Sequence, residues 1–283
     1  VETNSPSFEA RHDAADSESV LAVLHRLEEF RTGLGRHFKE TPAGVAVVIH
    51  SSSALLTIAH PWLELARLTA SPASRRYFGG WFTKDEIHVL SPRLLEKRAS
   101  NVEGSMEALQ LSPLHEYSHL VIGANNSKLP PPFNPKSFRN YLKWAWLCEG
   151  AATWMSGQTR YLAPAISTRL REGGKPSFPP SPRDAMLLGG SVFDLLEKGS
   201  GPDACVKMAS RLDPAGPEAA IERAFARSLG EVRRDWLSHL EELTATRSTT
   251  ELERRLPLDA DTELDPEGGD AWLEAAETPP RPR

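Results

Sequence analysis

His115, Glu116 and His119, in the stretch LHEYSHLVIG (114–123), have the residue types and spacing that could do chemistry. On a helix, positions i and i+4 lie one above the other on the same face. The two imidazoles can therefore aim at one point, as a tetrahedral zinc site requires. Glu116 falls about 100° further round the helix. That is off the ligand face but close enough to serve as general base for a metal-activated water. Leu114, Leu120, Val121 and Ile122 make the flanks apolar, so the helix is expected to be buried. Ser112-Pro113 reads either as its N-cap and first turn or as a kink in a longer helix starting near Glu103. Two histidines on a buried face also fit a plain alternative, core imidazoles bonded to nearby carbonyls.

A catalytic zinc takes three protein ligands and a water, so a third ligand is needed. The position six residues after His119 holds Asn125, and the next histidine is His239. Between His119 and Asp184 the usable ligand types are Cys148, Glu149 and Glu172. Glu172 lies in REGGKP, which reads as an exposed turn. Cys148 and Glu149 are neighbours in YLKWAWLCEGAATWMSG, read as one aromatic-rich helix, and only one of the two can face a metal. A carboxylate from a second buried helix would complete a His₂Glu set.

The pair HEYSH and WLCEGAATW resembles the gluzincin metallopeptidases, whose familiar members are thermolysin and the zinc aminopeptidases. It is most similar to the bacterial thermolysin-like peptidase MA group. RYFGGWFTKDEIHVLSP, MLLGGSVFDLLEKGSG and AIERAFARSLGEVRRDWLSHL resemble further segments of that group, so the likeness covers roughly residues 25 to 243. It implies one Zn²⁺ per chain held by His115, His119 and Glu149, with Glu116 as catalytic base. It also implies a peptide or protein substrate. The zinc aminopeptidases place an oxyanion-binding tyrosine before a Gly-rich turn. Aligned on Gly189-Gly190, that position is Met186 or Leu187, and neither side chain can donate a hydrogen bond. Tyr161, Tyr141, Arg160 and His239 are the available substitutes. The aminopeptidases' Gly-rich motif for gripping a free N-terminus is not recognisable, which favours an endopeptidase. The missing donor leaves a second reading, a metal-binding but catalytically weak or inactive interaction protein.

The elements that must position these residues are legible in part. GVAVVIH is a continuous apolar run and is expected as the first strand, followed by a helix through SSSALLTIAH. DEIHVL (85–90) alternates Ile87 and Val89 against His88 and Leu90. In the resemblance it is an edge strand to which an extended substrate adds, with Gly79-Gly80 bending the chain toward the cleft. His88 is expected on a strand face rather than as a ligand. Residues 18–36 space Val20, Leu21, Leu24, Leu27 and Phe30 as an amphipathic helix. AMLLGGSVFDLLEKG and DACVKMASRL read as short helices. LGEVRRDWLSHLEELTA reads as another, with Trp236, Leu240 and Leu243 inward.

The expected fold is α+β and zincin-like, with a small N-terminal sheet and helices, the HExxH helix, and a helical C-terminal lobe. Residues 1–17 read as a flexible lead and 18–244 as the metallopeptidase-like domain, with lobes about 18–124 and 125–244 around a cleft. Residues 245–283 read as an acidic, Pro-rich, disordered tail, with Trp272 and Leu273 as unpacked tail residues. The 283 residues can bury one sizeable core. A net charge of −5 without a basic, aromatic-interleaved stripe argues against nucleic acid. No apolar run reaches the length of a transmembrane helix. Two cysteines are too few for a disulfide framework, and Cys148 is expected as an inert core thiol. The polar start VETNSPSFEARHDAADSES shows no signal-peptide pattern. A soluble protein is expected, with compartment and oligomeric state left open.

Overall fold

Alternating apolar residues in three short parallel strands build the layer on which the molecule rests. The computed structural model describes residues 1–60, 63, 67, 68 and 70–248. Its strands are β1 (Glu2–Asn4), β2 (Phe8–Arg11), β3 (Val45–His50), β4 (Gly80–Phe82) and β5 (Glu86–Leu90), in the order β1-β2-β3-β5-β4. β2, β3 and β5 are parallel, while β1 and β4 run antiparallel to their neighbours at the two edges. The register aligns Phe8 with Val45, Ala10 with Val47, Val47 with Ile87, and Ile49 with Val89. Side chains alternate across a strand, so these residues share one buried face. The other face carries Arg11, Val48, His50, Trp81, Glu86 and His88.

Helices α1 (Ser17–Leu34), α2 (Ser53–Ala59), α3 (Pro72–Arg75) and α4 (Pro92–Arg98) lie among and after the strands. α5 (Ser105–Gln110) and α6 (Ser112–Asn125) follow, α6 carrying the HExxH residues. α1 and α6 cover the apolar face of the sheet. Phe8 meets Tyr117 edge-on at 5.2 Å between ring centroids, and Val20, Leu24 and Leu27 are buried beneath. Leu21, counted on the same stripe, points outward and is exposed. Among the described residues everything beyond residue 125 is helical or loop. The helices are α7 (Pro135–Lys143), α8 (Ala145–Met155), α9 (Ala163–Arg171), α10 (Ala185–Ser200), α11 (Pro202–Ala209), α12 (Pro217–Phe225) and α13 (Leu229–Ser248). The class is α+β, as expected. One apolar core runs without interruption from the sheet into these helices.

Several expectations are corrected. The flexible lead is instead β1 and β2, because Phe8 and Ala10 are buried against β3 and the pairing extends the sheet. Two strands of three and four residues are too short for their alternation to stand out in sequence. GVAVVIH is therefore the third strand. DEIHVL is an interior strand, and β4, antiparallel to it, is the edge. The chain around Pro113 is not one kinked helix: α5 ends and α6 begins at Leu111, and Ser112 is the first helical residue rather than the cap. The aromatic segment is likewise two helices, α7 and α8, broken at Trp144. A capping box of Asn134 and Ser137 starts α7 at the end of the proline loop.

The Gly189-Gly190 turn has a packing role. A Cβ on Gly150 would stand 2.5 Å from the backbone carbon of Gly189, so α8 and α10 cross with their backbones in contact. α13 closes over α10, with Trp236 fully buried and its indole N–H donating to Ser191 Oγ at 2.8 Å. α13 runs on to Ser248 through the first residues of the expected tail. The rest of that tail, with Trp272 and Leu273, lies outside the described residues. No described helix is long and apolar enough to cross a membrane.

Candidate metal centre

α6 is buried on nearly every side, and its three polar functional residues are buried along with their neighbours. One turn of helix sets His115 over His119, and their Nε2 atoms stand 3.2 Å apart. α8 crosses α6 and delivers Glu149, with Oε2 3.3 Å from His115 Nε2 and Oε1 3.6 Å from His119 Nε2. One ligand atom from each of the three residues lies within 4.8 Å of the other two. This group could hold a metal ion. The next-door choice on α8, Cys148, is turned away into the core with its thiol pushed well above its usual pKa by burial. Glu172 is exposed and accepts from Ala73 N at 3.0 Å, in the surface turn the sequence suggests.

Two residues around the group orient it. Gln158 donates its amide N–H to the carbonyl of Ala108 at 2.7 Å, which leaves its Oε1 facing His115 Nδ1 at 2.8 Å. An amide oxygen only accepts, so His115 must carry a proton on Nδ1 and directs Nε2 toward Glu149 and His119. On the other side, the hydroxyl of Tyr141 donates to Glu149 Oε1 at 2.5 Å. Phe82 of β4 stacks on the His119 ring at 4.2 Å, fixing that imidazole against the edge strand.

Glu116 lies on the neighbouring strip of α6, toward β4. A Cβ at Gly80 would fall 2.7 Å from Glu116 Cγ and Oε1. Glycine at position 80 is therefore what leaves room for this carboxylate beside the strand. Neither Gly79 nor Gly80 has a positive φ, so both serve close approach rather than the bend expected of them.

The electrostatics follow from burial among few charges. Burial works against ionised Glu149, but His119, His115 and Tyr141 outweigh it and hold the carboxyl down at about 2. Burial presses His119 down to about 3. Burial also opposes the charged form of His115, yet its bond to Glu149 and the Glu116 charge keep its pKa above the ordinary value. Glu116 is pushed up to about 8 by burial, despite His115 beside it. Before any metal binds, the group thus holds an ionised Glu149 and a neutral His119. A cation bound at His115 Nε2 displaces the proton that Glu149 favours there.

Of the four substitutes for the missing oxyanion donor, Tyr141 alone is seen bonded to the group. Arg160 sits over the ring of Tyr161 at 4.6 Å. His239 pairs with Asp194 at 2.7 Å between α13 and α10. Met186 is buried on α10, offering only its carbonyl to Thr153. The sequence reading missed Gln158, Phe82 and the spatial role of Gly80. Gln158 has no local signal at all, since it lies in the loop after α8, far along the chain from His115. No protein-family model, no curated protein and no solved structure matches this chain.

Proposed function

We propose that this chain is a zinc-dependent peptidase of the zincin-like fold, related in its site to the gluzincins, and that it cleaves within extended peptide chains. The observation that carries the reading is the convergence of His115, His119 and Glu149, with Glu116 on the next strip of the same helix. A zinc ion held by that triad would polarise a peptide carbonyl and acidify a water. Glu116 takes the proton from the attacking water and hands it to the leaving amine. Tyr141, kept protonated by burial and by Glu149, supplies a hydroxyl for the oxyanion that develops on the carbonyl. β4 is the last strand of the sheet, and its outer edge pairs with no described strand. An extended substrate adds there through main-chain hydrogen bonds, which brings its backbone past Gly80 and Glu116.

One observation favours the second reading, a metal-binding protein without strong peptidase activity. The Tyr141 hydroxyl is engaged by Glu149, and an engaged donor stabilises an oxyanion only after it swings free. Zinc content and peptide cleavage measured together decide between the two. Wild type is expected to bind zinc at the triad and cleave a peptide mixture. Glu149→Ala should lose that zinc, while Glu116→Gln should keep it and lose cleavage by ~10²–10⁴-fold. Zinc at the triad without any cleavage selects the second reading, and no zinc there removes both.

A further inference from the structure

Three of the nine histidines meet away from the triad. His88 on β5 and His50 at the end of β3 lie on the face of the sheet that carries Trp81, and His60 caps the C-terminus of α2 above them. His88 is paired with Trp81, whereas Phe82, the next residue, stacks on His119. Alternation along β4 therefore puts the histidine cluster and the triad on opposite faces of the sheet.

The hydrogen bonds determine where the lone pairs point. Glu86 Oε2 lies 3.3 Å from His88 Nε2, and a carboxylate accepts, so His88 carries its proton on Nε2. Its Nδ1 is then a free lone pair directed at His50 Nε2, 3.1 Å away. A carboxylate behind one imidazole nitrogen, with the other nitrogen turned to a shared point, is the arrangement that supports histidine ligands of metal ions. Arg11 holds Glu86 from its far side at 3.7 Å. The 3.1 Å gap matches the 3.2 Å between the Nε2 atoms of His115 and His119. It is also close to the ~3.3 Å expected between two nitrogens on one tetrahedral zinc with Zn–N bonds of about 2.0–2.1 Å. His60 stands with its ring centroid 4.0 Å from that of His88 and is backed by Trp81 at 6.5 Å. Its Nε2 is buried and has no hydrogen-bond partner among the described residues. A buried imidazole nitrogen without a partner is unfavourable, and a ligand would satisfy it.

We infer that His50, His60 and His88 form a second cation site, for a zinc-type divalent ion, on the face of the sheet opposite the triad. His50 Nε2 and His88 Nδ1 are the preformed pair. His60 becomes the third ligand by turning its ring onto them, a movement that breaks no hydrogen bond at its Nε2. The cation takes the place of the proton that His50 now shares with His88, and that proton moves to His50 Nδ1. Burial keeps all three rings below the ordinary histidine pKa, with neighbouring imidazoles adding to the effect at His50 and at His88, which falls to about 3. Their lone pairs are thus available at neutral pH. An all-imidazole donor set favours zinc, copper or nickel over magnesium or calcium. This site is independent of the peptidase reading.

Zinc stoichiometry in the full chain tests it, with excess ion removed by a weak chelator. Wild type is expected to retain two equivalents. His50→Phe/His60→Phe, which keeps the ring volumes, should retain one, and Glu149→Ala should retain one. Cobalt(II) added to the Glu149→Ala protein should give a tetrahedral visible spectrum that the additional His60→Phe change abolishes. Circular dichroism checks that each variant is folded, and His60→Phe alone serves if the double variant is not. One equivalent in wild type that His60→Phe leaves in place overturns the inference. If the single equivalent is lost with His60→Phe and kept in Glu149→Ala, the triad reading fails and the second site stands.

Discussion

The molecule holds two histidine clusters, one on each face of the same sheet, and they differ in how much of each is built by a single element. His115 and His119 are neighbours by helical geometry alone, and α8 supplies the carboxylate directly to the group. His50, His60 and His88 come from three elements, and their carboxylate, Glu86, stands behind a ring rather than among the ligand atoms. The triad is deeply buried, with its residues between 3 and 6% exposed, whereas His50 and His60 are half-buried. The contrast shows two ways in which burial acts on imidazoles. In the triad, burial keeps His119 neutral while the ionised Glu149 raises the pKa of His115. In the outer cluster, burial and neighbouring imidazoles act without a carboxylate among the ligand atoms.

The comparison can be broken most sharply at Gly80. Gly80→Ala places a methyl 2.7 Å from Glu116 Cγ and Oε1 and equally close to the His88 carbonyl oxygen of β5. Peptide cleavage is expected to fall ~100-fold or more, as for a misplaced catalytic group, with triad zinc retained. Steady-state kinetics beside metal analysis reads both, and unchanged cleavage would remove Glu116 from its role as base. The supporting residues come next. Gln158→Ala should weaken zinc at the triad by ~10–100-fold, and Glu86→Ala should do the same at the outer cluster. Chelator competition measures each, and equal affinities in wild type and Gln158→Ala would show that the amide is a packing contact only.

A third expectation concerns the metal-free protein. The pKa of Glu116 rises from 4.5 to about 8 on folding. The folded state therefore binds more protons than the unfolded state between those values, and stability is lost as pH rises across that window. The loss is at most ~1.4 kcal/mol per pH unit. Glu116→Gln should make the metal-free chain more stable than wild type at pH 8.5 and much less so at pH 5. Urea unfolding at both pH values checks the sign. The smallest effect belongs to the outer cluster. His88 falls from 6.5 to about 3 on folding, so stability is lost as pH drops through that range. His60→Phe should flatten the slope by less than ~1 kcal/mol over the window, since His60 is only half-buried. An unchanged slope would mean that His60 does not act on His88.

The parts of the site that were legible are those one element builds. The HExxH pair, the burial of Leu114, Leu120, Val121 and Ile122, and the shared strand face of Ile87 and Val89 all follow from helical or two-residue periodicity. Glu149 was reachable only through a resemblance, since Cys148 beside it offers an equally good ligand type. β1 and β2 were missed because strands of three or four residues next to polar neighbours leave no usable pattern. The edge strand was misassigned for a related reason. β4 is three residues long, and nothing local reveals that it lies outside β5.

Local periodicity thus determined the elements and the two histidines that share a helix face, because neighbours along one helix or strand have fixed relative positions. Packing decided the rest. The crossing of α6 and α8 turned Glu149 inward and Cys148 away, and the close approach of β4 made Gly80 the space for Glu116. The loop after α8 brought Gln158 behind His115, and the sheet gathered His50, His60 and His88 from three elements. Such contacts depend on how elements dock over long stretches of chain, and that is set by the shape of the whole core rather than by any short run of residues.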